Sequence, residues 1–308
     1  MSWGILGFSR ASLEFYISLR EQDRQNAILY TNNPESAQER AKTLNPALPS
    51  LTILAKDQIK THSHYFIGSQ SKDHHEDILR LKELPGAILV EKPMVSDLSQ
   101  FNNLPEDFKG RLVENLWLAH HPVLGEVRKW LPRLGQIQLV QLDMGIKLDE
   151  KDWRWEDGGV LQDLGIYPLH FLKLIGWPVE NSLHVNGMQP TGSGAGEFYL
   201  ELYSKAGQLA RIQLSFYEFS KWECHVRGEN GSLTIHPNLW DTQSMIVEIK
   251  GSKPQKIPLP KVNLREISLQ GFLEISRDAQ KIGQSLQNSQ WVIEQVDRIQ
   301  FLLDPARD

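Results

Sequence analysis

Five short apolar runs, at positions 3–8, 27–31, 51–54, 64–68 and 87–90, alternate with polar or amphipathic stretches through the first part of the chain. Each run is too short for a helix, and the intervening stretches carry helical spacing. That alternation predicts βαβ units around a buried parallel sheet. The punctuation agrees: Ser9 is placed to cap a helix that turns Leu13, Tyr16 and Ile17 inward, and Asn33 precedes Pro34, a residue suited to the first helical position. A further helix is expected over 73–84. In a sheet of this kind ligands bind beyond the C-terminal ends of the strands, so the residues that follow each run are the ones to read for function.

Beyond residue 120 the pattern changes. Strand-like runs dominate, at 136–146, 198–203, 209–217, 222–227, 233–236 and 245–249. One helix is expected over 159–175, entered through Gly158 and Gly159 and left through Gly176-Trp177-Pro178, and two amphipathic helices are expected at 267–282 and 288–303. The reading is therefore two domains, 1–120 and 121–308, with the C-terminal helix able to pack back on the first. Thirty-three basic against 38 acidic residues, a net charge of -5, offers no footprint for nucleic acid or an anionic membrane. A single cysteine, Cys224, excludes an internal disulfide and fits a reducing cytoplasm. No run approaches the ~20 apolar residues of a membrane span.

Chemistry-bearing residues fall at the expected strand ends. Glu91-Lys92-Pro93 follows the fifth run directly and sets a long amine at the mouth of the sheet. After the first run, Gly7-Phe8-Ser9-Arg10-Ala11-Ser12 resembles the G-x-G-x-x-G/A dinucleotide turn, with Ser9 and Ser12 where the second glycine and the last small residue belong. The alternative is a tight turn that binds nothing. After the second run, Thr31-Asn32-Asn33 supplies neither the acid that bonds a ribose hydroxyl nor the base that takes a 2′-phosphate, although Arg10 could reach one; NAD and NADP stay open. In the second half, Asp163, Tyr167 and His170 are spaced four and three apart and can share one helix face. Each also has a bland reading: a solvated lysine, a core tyrosine, an acid that supports a turn, a packed histidine. His120 and His121 lack a convincing ligand set, so no metal is expected.

Ser69-Gln70-Ser71-Lys72-Asp73-His74, Glu91-Lys92-Pro93, Gly158 through His170, and Gly228-Glu229-Asn230-Gly231-Ser232-Leu233 occur in one order over nearly the whole chain. That ordered set resembles the glucose-fructose oxidoreductase, inositol dehydrogenase and MocA family. Tyr167 matches its tyrosine subgroup, which includes dimeric dihydrodiol dehydrogenase, and His170 replaces the acid of the common pattern. The resemblance implies an α/β chain with an N-terminal Rossmann-type parallel sheet, then an α+β domain with a large, mostly antiparallel, open-faced sheet. It implies an NAD(P) cofactor held by Gly7, Phe8, Ser9, Arg10, Thr31, Asn32, Ser69, His74, Glu91 and Lys92. Substrate would meet Lys92, Arg154, Asp163, Tyr167 and His170, with Lys92 orienting a hydroxyl, Tyr167 serving as acid/base and Asp163 positioning the substrate or the lysine. It also implies a cis Lys92-Pro93 bond and a homodimer or homotetramer through the sheet. The expected activity is hydride transfer between a nicotinamide and a secondary alcohol or ketone of a sugar, cyclitol or diol. The alternative is a non-catalytic nucleotide or sugar sensor of the same fold, motivated by Ser9 and Ser12.

Overall fold

The computed structural model describes residues 1–44, 51–178, 181–188, 196–236, 239 and 241–303. They divide into two compact units, Met1–Leu116 with Ser268–Ser289, and Trp117–Ile267 with Gln290–Asp308.

The first unit carries β1 (Trp3–Leu6), β2 (Ala27–Thr31), β3 (Thr52–Ala55), β4 (His64–Ile67), β5 (Ala87–Val90) and β6 (Leu112–Glu114). They form one sheet in the order β3-β2-β1-β4-β5-β6, every pair parallel. All four residues of β1 are buried, as expected for a strand covered on both faces. Aromatic rings fill the space beside it. Phe15 stacks on Phe66 with centroids 4.0 Å apart, Trp3 meets Phe15 edge-on at 5.0 Å, and Phe272 reaches Trp3 at 5.8 Å. Phe272 lies in the C-terminal helix Leu264–Ile275, so a late segment completes the first unit's core.

The second unit is built on eight strands: β7 (Ile137–Gly145), β8 (Asn181–Met188), β9 (Glu197–Ser204), β10 (Leu209–Ser215), β11 (Cys224–Gly228), β12 (Gly231–Ile235), β13 (Ser244–Ile249) and β14 (Gln255–Pro258). Their order is β14-β13-β12-β11-β7-β10-β9-β8, antiparallel except for the β7–β10 pair. Burial alternates along β9 and β10, so one face packs inward and the other is exposed. Gly228 and Gly231 pair across the β11–β12 hairpin because backbone crowds both. A Cβ on Gly231 would stand 2.0 Å from the Glu248 carbonyl oxygen, and one on Gly228 2.3 Å from that of Leu134.

Three strands lie outside the sequence expectation. β6 has only three residues, too few for a periodic signal; β14 is a polar edge strand; β8 lacked a continuous apolar run. The last two helices are also displaced. The chain breaks at 276–278 rather than beyond 282, giving Leu264–Ile275 and Ala279–Leu303, because Asp278 Oδ1 accepts from Gln280 N at 2.9 Å and Lys281 N at 3.2 Å and starts a new helix. Cys224 is a free, buried thiol, and burial pushes its pKa up. No helix among the described residues is long and apolar enough to cross a membrane, and no group of three or more of their His, Cys, Asp and Glu residues could hold a metal.

Candidate active site

In the first unit the strand ends of β1, β2, β4 and β5 bring together the residues singled out in the sequence. β1 sits between β2 and β4, the point where the connections reverse direction and where an open α/β sheet offers its crevice.

The turn after β1 is closed against the turn after β4. Gly7 has φ +90°, a conformation that favours glycine, and a Cβ there would stand 2.5 Å from Ser69 Cα. Gly7 N donates to Tyr30 O at 2.8 Å, which joins the same turn to β2. Ser9 caps the helix Arg10–Ser18, accepting from Ser12 N at 3.0 Å. Its hydroxyl also lies within bonding distance of the Gly68 carbonyl, and Ser12 Oγ donates to that carbonyl at 3.3 Å. Ser9 and Ser12 thus tie the turn to the end of β4. This cradle fits a pyrophosphate: backbone is close-packed at a helix start, where first-turn N–H groups lack partners inside the helix. Phe8 is half-buried beneath the Arg40 guanidinium, 5.1 Å from its ring centroid. Arg10 points outward and pairs with Glu14 at 2.8 Å, Thr31 is half-buried and Asn32 exposed.

Ser69 is held from behind. Its hydroxyl donates to Asp77 Oδ2 at 2.7 Å, and Lys56 Nζ bonds both oxygens of Asp77 at 2.6 and 2.7 Å, with both side chains of the pair buried.

The Lys92-Pro93 peptide is cis. His74, 1% exposed on the helix Ser71–Arg80, sets Nδ1 2.7 Å from Pro93 O and Nε2 3.1 Å from Ser69 O. Met94 N donates to Glu114 Oε1 at 2.9 Å, and Asn115 Nδ2 donates to Glu91 Oε1. Burial pushes the Glu91 carboxyl above its ordinary pKa, opposed by the Asn115 bond and by the charges of Lys92 and His74. Lys92 is half-buried.

In the second unit a π-helical turn, Leu161–Gly165, runs straight into the helix Ile166–Leu174. Gly158 (φ +83°) and Gly159 (φ +65°) enter it, and a Schellman motif ends it, with Gly176 N donating to Lys173 O and Trp177 N to Leu172 O. Tyr167 is half-buried between two tryptophans, its ring centroid 5.4 Å from that of Trp117 and 6.4 Å from that of Trp222. Trp222 holds φ +53°, rare for a bulky residue, and donates Nε1 to Gly145 O at 2.9 Å. Arg154 lies between two acids. Its Nε and NH2 each donate to Asp152 at 2.9 Å, and NH1 is 3.7 Å from Asp163 Oδ2. Those Arg154 bonds hold the Asp152 carboxyl below the usual carboxylate range. His170 is 1% exposed, and His121 caps the helix Pro122–Leu134 by accepting from Val123 N at 3.1 Å.

Sequence reading missed Asp77, Glu114, Asn115, Trp117 and Trp222. Only Asp77 had a local signal, three residues beyond His74 on the same helix face.

No family model matches the chain. The chain is 24% identical over 303 residues to trans-1,2-dihydrobenzene-1,2-diol dehydrogenase of Bos taurus, spanning 93% of this chain and 88% of that one. Among solved structures it resembles KijD10, a 3-ketoreductase from Actinomadura kijaniata crystallised with TDP-benzene and NADP, at TM-score 0.80 and 17% identity over 97% of this chain and 96% of that one. The aldose-aldose oxidoreductase of Caulobacter crescentus gives TM-score 0.79 and 18% identity over 97% of each chain. With the parallel sheet, the open eight-stranded sheet and the ordered motifs, these likenesses fit the glucose-fructose oxidoreductase, inositol dehydrogenase and MocA family.

Proposed function

We propose that the protein is an NAD(P)-dependent oxidoreductase that moves a hydride between a nicotinamide and a secondary alcohol or ketone of a sugar, cyclitol or diol. The observation that carries this reading is the Gly7 turn, where a positive φ and backbone packed 2.5 Å from the missing Cβ form a close-approach cradle at a capped helix start. Ser9 and Ser12, which motivated the sensor alternative, complete that cradle. The relatives' names support the substrate class.

When bound, the nicotinamide accepts or supplies the hydride. The chain's part is to hold the reacting hydroxyl and move its proton. Lys92 orients the oxygen; Tyr167, steadied between Trp117 and Trp222, takes or returns the proton; Asp163 positions substrate, with Arg154 beside it. Gly7, Phe8, Ser9, Arg10, Thr31, Asn32, Ser69, His74, Glu91 and Lys92 form the cofactor side, and His170 backs the substrate side. The same reading assigns the exposed face of the eight-stranded sheet, where Tyr199 and the Glu201–Arg211 pair lie, to a second copy of the chain in a dimer or tetramer. It places the protein in the cytoplasm.

Titration of NADH and NADPH by fluorescence, followed by a screen of polyols, sugars and diols at the nicotinamide absorbance band, tests the reading. Binding of at least one cofactor and turnover of at least one diol or sugar are expected; absence of binding by both cofactors overturns it.

A further inference from the structure

We infer that Ser268 and Ser289, two hydroxyls contributed by the C-terminal segment of the first unit, are positioning residues for Lys92. The inference rests on the proposed role of Lys92 and adds the machinery that holds it still.

Three groups of the turn around Lys92 are held by side chains from elsewhere in the first unit: the Glu91 carboxyl, the Pro93 carbonyl and the Met94 amide. His74 meets the carbonyl. The other two are met by consecutive residues at the end of β6, and each of those is oriented by one serine. Ser289 Oγ donates to Glu114 Oε2 at 2.6 Å, while Glu114 Oε1 accepts from Met94 N at 2.9 Å. One carboxylate therefore links a helix 175 positions away to the amide two residues past Lys92. Ser268 Oγ donates to Asn115 Oδ1, and Asn115 Nδ2 donates to Glu91 Oε1.

The second relay depends on which way the amide faces. Asn115 presents its NH2 group to Glu91 Oε1 and its oxygen to Ser268. A hydroxyl that donates to Oδ1 favours that orientation; without it the amide can turn its oxygen towards the carboxylate. Asn115 is itself fixed to the sheet, its N donating to Val90 O at 2.6 Å, and Glu91 N donates to Ile67 O at 2.8 Å. Ser268 is 5% exposed, Ser289 2%, Glu114 5% and Met94 0%, so water does not readily replace the bonds of the Ser289–Glu114–Met94 relay, while Asn115 and Glu91 are half-buried. The groups that face Glu91 are Asn115, Lys92 and His74.

The test uses the full chain with Ser268→Ala, Ser289→Ala, their double variant, Glu114→Leu and Glu114→Gln. Two readouts are taken: kcat with cofactor Kd, and the rate at which acetic anhydride labels Lys92 relative to the exposed Lys256, followed by mass spectrometry and independent of turnover. The double variant is expected to lose about tenfold in kcat, the loss of roughly one buried hydrogen bond to a charged group, with cofactor Kd changed by less than about twofold. Its relative Lys92 labelling should change by about threefold or more in the same sense as Glu114→Leu. Glu114→Gln should restore wild-type values, because an amide can accept from Met94 N–H and donate to Ser289. If Glu114→Leu does not fold, the double variant decides. Wild-type kcat and wild-type labelling in the double variant would overturn the inference. If the wild type itself binds no cofactor, the proposed function falls, and the labelling arm still decides whether the serines set Lys92.

Discussion

Nδ1 of His74 lies 2.7 Å from the carbonyl oxygen of Pro93, and Nε2 of the same ring lies 3.1 Å from that of Ser69. One buried side chain therefore spans the turns that end β4 and β5. His74→Phe keeps the bulk and removes the ring N–H that serves these carbonyls, leaving a buried carbonyl unserved at about 1–3 kcal/mol. Calorimetry should show the melting temperature falling by several degrees, and steady-state assays should show lower kcat.

Gly7→Ala forces a side chain onto a φ of +90° and into the Ser69 backbone. Cofactor affinity should fall by about tenfold or more, because strain of about 1–3 kcal/mol is relieved only by moving the turn off its phosphate-binding shape. Fluorescence titration measures it, and circular dichroism checks that the sheet remains.

Lys92→Met removes the group proposed to orient the reacting oxygen, and Tyr167→Phe the group proposed to move its proton. Turnover should drop by roughly 10²–10⁴-fold while cofactor Kd stays near wild type. Wild-type rates in both variants would remove these assignments.

Lys56→Met removes the buried cation of Asp77 and leaves only the more distant, partly exposed Arg80 at 3.7 Å, a loss approaching the ~3–5 kcal/mol of a broken buried pair. Lys56→Met with Asp77→Leu should recover much of that stability in urea unfolding, since two apolar side chains carry no desolvation cost. Cofactor affinity should stay reduced in the double variant despite that recovery, because Asp77→Leu removes the acceptor of Ser69.

Burial lowers the pKa of His62, His64, His121 and His225 below the ordinary 6.5. The unfolded chain then binds more protons than the native one as pH drops through 6.5, so these histidines make stability rise with pH across that window. The urea midpoint should decrease from about pH 7.5 to about pH 5.5. His121→Asn keeps an acceptor for Val123 N and should flatten that dependence; an unchanged slope would count against His121 as a contributor.

The five parallel strands from β1 to β5 were legible because each is a short, mainly apolar run, mostly buried in all but β3, with Ser9 and Asn33 at two of the helix starts between them. Lys92 and Tyr167 stand out as candidates in the sequence through residue type and motif order. Glu114 and Asn115 do not. β6 is three residues long, and the worth of these two side chains comes from Met94, Glu91, Ser268 and Ser289, as many as 175 positions away. Ser9 and Ser12 looked like weakened glycines in the sequence, yet their hydroxyls bind the Gly68 carbonyl that only the β1–β4 pairing brings near.

Local chemistry by itself determined the alternation of strands and helices, the caps, and the identities of the amine, phenol and carboxyl groups, since these depend on neighbours within a few residues. Tertiary structure alone decided which buried polar groups are satisfied and by whom. A hydrogen bond needs its partners within about 3 Å, and the bonds that hold the Lys92 turn come from strands and helices whose proximity no sequence separation encodes.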